Sequence, residues 1–483
     1  VEIVYPSAFE QRVLAEEAPG GEPRYVSLVV PSVGRSGEPF PVKVAVLDRW
    51  GHPTLGLGGE VRVECPSASP SAIEIGFEPA RPAVAVAYGL TIERHGLFRL
   101  SCEFAGEVFH SNPIRVSESP ETSIYWGDPH VHTVLSDCFP DRCRSLNFCY
   151  VAGKWLSALD WVSAADHVSN GRGSPGKWKE QSVTSNLYDE PGRFATLPAY
   201  EASLKGGCGG DNNIYMLRWP DIFVDEYEQG TVKTICEKLA GKLGPGEFFA
   251  VPHHTTRTGK HGEIPDEIYP GQELMPVVEI HSKWGTSEYR GNPNPLHEVH
   301  GGPSYVVDLL DAALRLGFIA GTDTHTTFPG WLDRKEPGHI DRLPGLTAVR
   351  ADELTREAVF RGIAGRSCYA TSLERIYLDV TVAGADMGRA VPWPDASAPR
   401  RIAVTAAAAS DITAVEIVRN GRTINTQGVG DWKTELTFED SADLGGLEFT
   451  SKRLGRFVYY YVRVTCSSGA QAWSSPVWLL TGD

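Results

Sequence analysis

The stretch SIYWGDPHVHTVLSD, residues 123–137, carries an apolar run that closes on Asp128, His130 and His132. Four to six apolar residues ending in a polar one read as a buried strand whose end opens onto a site. The same form recurs in DWVSAADH (160–167), FATLPAYE (194–201), FFAVPHH (248–254), PVVEIH (276–281), FIAGTD (318–323) and GLTAVR (345–350). Between several of these runs lie helical patterns: YEQGTVKTICEKLAGKL (227–243), PSYVVDLLDAALRLG (303–317) and ELTREAVFRGIAG (353–365). Buried strands alternating with helices predict a parallel sheet, and about seven repeats predict a closed or nearly closed β/α barrel with its site at the C-terminal ends of the strands.

Outward from this centre the pattern changes. Residues 1–120 alternate apolar and polar in Phe40–Asp48, Gly59–Cys65 and Gly96–Phe104, with Gly and Pro clusters between them, which predicts an antiparallel β-sandwich. Residues 371–483 read the same way. There AVEIVRNGRTI places Asn420-Gly421, a dipeptide suited to a tight hairpin turn, between two strands. The expected organisation is a sandwich over 1–120, a barrel over 121–370 and a second sandwich over 371–483.

The 483 residues are 41% apolar and 22% charged, the balance of a folded protein of several domains. A formal net charge of −16 argues against a nucleic-acid partner, and no apolar stretch is long enough for a membrane span. The N-terminal residues lack the basic head and apolar core of a signal peptide, which favours a cytoplasmic compartment without deciding it. Nine cysteines form no zinc-binding CxxC pattern; Cys65 and Cys102 either pair or sit as separate buried thiols. Oligomeric state is not legible.

Of 14 histidines, 11 fall between residues 123 and 370 and none follows. The strand ends offer, in order, Asp128, His130, His132, Asp137, Asp166, His167, Glu201, His253, His254, Glu279, His281, Asp323 and His325. Residues at i and i+2 on a strand point the same way, so His130 with His132, and Asp323 with His325, can share an ion. Burying so many polar groups without compensation would cost roughly 2 kcal/mol or more each, a difficulty that a metal cluster removes. Mixed imidazole and carboxylate ligands suit Zn, Mn or Fe.

These motifs, HVHTVLSD, AADH, Glu201, VPHH, VEIH and GTDTH in this order, resemble the PHP (polymerase and histidinol phosphatase) superfamily. The resemblance spans about residues 123–330. It implies a distorted (β/α)7 barrel holding two or three divalent metal ions. It assigns His130, His132 and Asp323 to a first metal, Glu201 as a bridge, His253 and His281 to a second metal, and Asp137, His167 and His325 to a third. It also implies hydrolysis of a phosphate mono- or diester of a small molecule by a metal-bridging hydroxide. The chain departs from the family in two places. Cys138 follows Asp137, either as a thiolate ligand or as an inert neighbour, and His254 stands where many members have Pro.

His254 reads as a general acid, a substrate contact or an orienting hydrogen-bond partner, and Asp128, Asp166 and Glu279 as carboxylates that orient ligands. Lys283, Arg257 and Arg290 follow ligand-bearing strands and are either phosphate clamps or solvated cations; Trp284 offers an apolar wall. The Gly-, Asn- and Pro-rich loops 168–193, 203–213 and 285–303 are expected to shape a pocket, with His297 and His300 as loop residues. Two alternatives stand beside phosphoester cleavage. One is hydrolysis of a carboxylic ester, lactone or amide at the same metals; the other is a non-catalytic metal-binding module.

Overall fold

The computed structural model describes residues 1–136, 138–139, 141–167, 174–204, 207–220, 230–258, 264–296, 304–330, 343–372 and 374–481. In the N-terminal part, two four-stranded sheets face each other. One orders Glu2–Val4, Val84–Leu90, Phe40–Leu47 and Tyr25–Val29; the other orders Glu107–His110, Ser101–Phe104, Gly59–Glu64 and Ala72–Phe77. Val42, Val44 and Val46 from the first meet Val61, Val63, Ile73 and Ile75 from the second in one core, because alternation turns every second side chain inward. This is the expected sandwich. Cys65 and Cys102 lie buried in it as free thiols, as all nine cysteines are free.

The centre is not a (β/α)7 barrel. Among the described residues strands far outnumber the six α-helices, and they fall into several sheets rather than one closed ring. Strands Trp161–Ala164 and Ala195–Thr196 do run parallel beside Ser123–Val131, and Val277–Ser282 runs parallel to Gly317–Ala320. Between these groups, however, Ala199–Ser203, Asp211–Met216 and Phe248–Pro252 form an antiparallel meander. Its first connection shows why. Only residues 204–210 separate the first two strands, whereas a parallel return needs a crossover of roughly a dozen residues. The chain instead reverses through Gly207, Gly209 and Gly210, all with positive φ. Strand Gly345–Ala351 also breaks the parallel order, pairing antiparallel with Ser123–Val131.

Where helices do form, local chemistry explains them. Thr231 caps Val232–Ala240, whose Val232, Ile235, Cys236 and Leu239 share one buried face. Thr355 caps Arg356–Ala364, which stops at Gly365. Helix Ala8–Glu17, which the β-rich reading of the N-terminus did not anticipate, begins with a Ser7/Glu10 capping box.

The C-terminal strands continue the sheet of the centre. Ser123–Val131, Gly345–Ala351, Cys368–Ser372, Gln471–Ser474, Gly455–Cys466 and Arg400–Arg419 are successive neighbours in one fourteen-stranded sheet. The long hairpin Arg400–Arg419/Arg422–Asp440 turns, as expected, at Asn420-Gly421, both left-handed with φ 49° and 69°. Among the described residues no helix is long and apolar enough to cross a membrane.

Candidate metal centre

Although the barrel is absent, the strand ends still meet, because backbone hydrogen bonds stitch them together. The His132 amide donates to the Thr324 carbonyl (3.0 Å), Asp323 to His130 (2.8 Å) and Glu201 to Asp166 (3.0 Å). Isolated bridges pair Val131 with Thr324 and His167 with Glu201. Three overlapping sets of ligand atoms result, each mutually within 4.8 Å: His130, His132 and Asp323; His130, Glu201 and His253; and His132, Cys138, His167 and His325.

Outer hydrogen bonds fix how the imidazoles face. Ser136 Oγ donates its single proton to Asp166 Oδ1 at 2.8 Å, so it accepts from His132 Nδ1 at 2.9 Å. His130 Nδ1 donates to Glu279 Oε2 at 3.0 Å. Both rings therefore turn Nε2 inward, and these nitrogens lie 3.2 Å apart. Asp323 Oδ1 sits 3.0 Å from His132 Nε2 and 3.5 Å from His130 Nε2. Glu201 divides its oxygens: Oε2 lies 3.2 Å from both His132 Nε2 and His167 Nδ1, and Oε1 lies 3.3 Å from His253 Nε2. Ring nitrogens and carboxylate oxygens converging on one point, with each Nδ1 proton tied outward, are the donor set a cation needs once it displaces the inward protons. His253 fits the same reading, since it is buried and neither ring nitrogen has a hydrogen bond of good geometry among the described residues.

The electrostatics agree. Burial alone would push the Glu201 carboxyl up, but His167, His130, His132 and His253 hold it well below the usual range. Asp323 is likewise held low against burial by His130, His132, His254 and His325. In return, and against burial, Asp323 and Glu201 lift His132 to about 10. The site thus draws positive charge to the point between its two carboxylates. Burial lowers His254, Asp323 offsets this only in part, and His253 adds to it. Burial and the charge of His132 bring His325 to about 4. A side-chain hydrogen bond from Cys143 lowers the Cys138 thiol against burial, and His167 and His325 lower it further.

The remaining expected residues divide. His254 Nε2 is 2.8 Å from Asp323 Oδ2, at the edge of the cluster. Trp284 packs edge-on to His254 and His325 at 6.1 and 5.9 Å, with Lys283 Nζ 4.9 Å and Arg257 Cζ 5.4 Å from its ring. Lys283 is buried and Arg257 half-buried; Arg290 is exposed and stacks on Tyr305 instead. Asp137, His297 and His300 lie outside the described residues, as do parts of the three loops.

His281 is not brought into the cluster. Its Nδ1 lies 2.8 Å from Thr286 Oγ1 and its Nε2 2.7 Å from the Leu343 carbonyl. A register shift in the pairing with Gly317–Ala320 falls between Glu279 and His281, so i and i+2 no longer share partners. Asp128 accepts from Thr322 Oγ1 (2.6 Å) and the Gly330 amide (2.9 Å), and Asp166 from Thr133 Oγ1 (2.8 Å) and Gln181 (2.9 Å). Asp128 also accepts from the His130 amide at 3.1 Å, and Asp166 reaches His132 through Ser136. Sequence reasoning missed Ser136, although it stands between ligand candidates in HTVLSD. It also misses Asn213, the buried cross-strand partner of Glu201, because DNN reads as loop.

No family model matches the chain. An uncharacterised protein of Chlamydia pneumoniae is 25% identical over 484 residues, covering 97% of this chain and 76% of that protein. Uncharacterised proteins of Chlamydia muridarum and Chlamydia trachomatis serovar D are each 25% identical over 407 residues, covering 80% of this chain and 62% of their own length. The chain therefore spans less than two thirds of these last two. Among solved structures, an engineered protein matches 21% of this chain and 20% of its own at 16% identity and a TM-score of 0.14. A Bacteroides uniformis β-glucuronidase matches 94% of this chain and 60% of its own at 8% identity and a TM-score of 0.18. Likenesses this slight carry no argument about fold or function, and the comparisons lend hydrolase chemistry no support.

Proposed function

We propose that the protein is a metal-dependent hydrolase that cleaves a phosphate mono- or diester of a small molecule at a centre of two or three divalent ions, Zn, Mn or Fe. The observation that carries this reading is the divided carboxylate of Glu201, with one oxygen toward His253 and the other toward His132 and His167. A carboxylate between two sets of imidazoles would bridge two ions. His130, His132 and Asp323 would hold one ion, and Glu201 with His253 another. Bound there, such ions supply Lewis acidity and lower the pKa of water from about 15.7 to about 7.

The chain's own residues do the rest. Lys283 and Arg257, set against Trp284, offer two cations beside the cluster to a phosphate group, and the indole face offers apolar surface to its organic part. His254, held near neutral imidazole by burial and anchored on Asp323, is positioned to pass a proton at Nε2. The resemblance of the ordered motifs to the PHP superfamily supports the same reaction class, though not its barrel.

Metal analysis of protein purified without chelators, followed by a screen of p-nitrophenyl phosphate mono-, di- and triesters beside lactones, tests the reading. Glu201→Gln should abolish turnover and deplete at least one ion. Full activity in that variant overturns the bridging role, and turnover of lactones alone overturns the substrate class.

A further inference from the structure

The outer end of the cluster differs in chemistry from the inner one. Cys138, His167, His325 and His132 bring one ligand atom each within 4.8 Å of one another. His132 Nε2 faces both inner carboxylates, Asp323 Oδ1 at 3.0 Å and Glu201 Oε2 at 3.2 Å, so it belongs to the inner set, whereas His167 meets that set only through Glu201 Oε2, 3.2 Å from its Nδ1. What remains is one sulfur and two imidazoles.

The surroundings hold these three in place. His325 Nδ1 lies 3.1 Å from the Asp323 carbonyl, which takes its N–H and leaves Nε2 with a lone pair. The His167 amide donates to Ser136 Oγ at 3.0 Å, tying this residue to the hydroxyl that orients His132. Cys143 hydrogen-bonds Cys138 through its side chain, and its own Sγ is 3.2 Å from the His325 carbonyl. Phe139 sets its ring edge-on to His325 at 5.1 Å. Cys138 is thus a half-buried thiol held among two imidazoles and a second thiol.

A thiolate is a soft ligand that favours zinc over manganese or magnesium, and one sulfur with two nitrogens is a three-ligand set that leaves a tetrahedral ion one position for water or substrate. Resting on the metal-centre reading above, we infer that Cys138 Sγ, His167 and His325 form an outer metal site selective for zinc over manganese. On binding, the thiol releases its proton to water as the sulfur–metal bond forms, with no change of oxidation state. The inner sets, built of imidazole and carboxylate alone, share that preference only to a smaller degree.

Cobalt(II) loaded into metal-free protein tests the assignment, since thiolate-bound cobalt gives a charge-transfer band in the near ultraviolet. The band should appear in the parent and in Cys143→Ser and vanish in Cys138→Ser, with bound cobalt falling by one equivalent. Bound cobalt without the band, or a band that survives Cys138→Ser, overturns the sulfur site while leaving the inner centre standing. Failure to bind cobalt at all sinks both. Should Cys138→Ser not fold, X-ray absorption of the zinc-loaded parent decides: a sulfur neighbour at about 2.3 Å supports the site, and nitrogen and oxygen neighbours alone reject it.

Discussion

His254 Nε2 meets Asp323 Oδ2 at 2.8 Å, and both residues hold left-handed backbone, with φ of 54° and 50°. Neither is glycine, so each conformation costs on the order of 1–3 kcal/mol and persists only because the surroundings impose it. The two strained residues lie on separate strand ends and are joined by one hydrogen bond at the edge of the candidate ligands. His254→Ala should lower turnover by about 10²–10⁴-fold while retaining bound metal. His254→Gly should lose as much activity yet be about 1 kcal/mol more stable than the alanine variant, because glycine adopts this φ freely. Kinetics, metal content and chemical denaturation of the pair check both statements; equal stabilities would show that the backbone is unstrained.

Ser136 passes the charge of Asp166 to His132 through one hydroxyl. Ser136→Ala should leave the fold intact and weaken metal binding by about 10–100-fold, the usual effect of losing a partner that orients a ligand. Titration against a competing chelator measures this. Unchanged affinity would mean that the His132 ring is held by packing alone.

Glu288 lies buried with Oε1 2.5 Å from Arg463 Nη1 and 2.7 Å from the Tyr461 hydroxyl, and Oε2 2.8 Å from Trp473 Nε1. It ties the segment after Lys283 and Trp284 to the C-terminal strands. Glu288→Ala strands a buried guanidinium and two donors and should cost about 3 kcal/mol, the lower end for a broken buried pair because Arg463 keeps Glu416. Urea denaturation reads the loss, and a change under 1 kcal/mol would refute the estimate.

Burial raises the Asp311 carboxyl to about 6, against a hydrogen bond from the Tyr459 hydroxyl that lowers it, with Asp308 adding to the rise. Its folded pKa therefore exceeds the unfolded one. The folded state binds more protons between about pH 4 and pH 6, and this group's contribution to stability falls as pH rises through that window. Asp311→Asn keeps the Tyr459 bond and should flatten the profile there while raising stability at pH 7. Melting curves across pH 4–8 for the parent and the variant test the sign.

The candidate ligands were legible because imidazoles and carboxylates at the ends of apolar runs are costly unless something gathers them. His130, His132, Glu201, His253 and Asp323 do converge. The barrel was not legible as an error, because periodicity reports burial and not strand direction. FFAVPHH reads alike whether its neighbour runs parallel or antiparallel, and the glycine-rich stretch that holds the short reversal over 204–210 carries no mark of strand direction. His281 escaped for a similar reason. Two-residue spacing places it beside Glu279 only in a regular strand, and the register shift between them leaves no trace in composition. Cys138 was visible beside Asp137, which the resemblance to the PHP superfamily groups with His167 and His325; the fold brings its sulfur and both imidazoles together.

The sheet that contains the histidine-bearing strand Ser123–Val131 runs without interruption from Cys368–Ser372 into Gln471–Ser474, and Trp473 stacks on His281 at 5.6 Å. Cutting the chain near residue 372 would leave a bare row of amides and carbonyls along the middle of that sheet, open to pairing with any neighbouring copy. The last hundred residues are thus less an appendage than a wall of the same building, and whatever chemistry the histidines perform is inherited or lost with them as one unit.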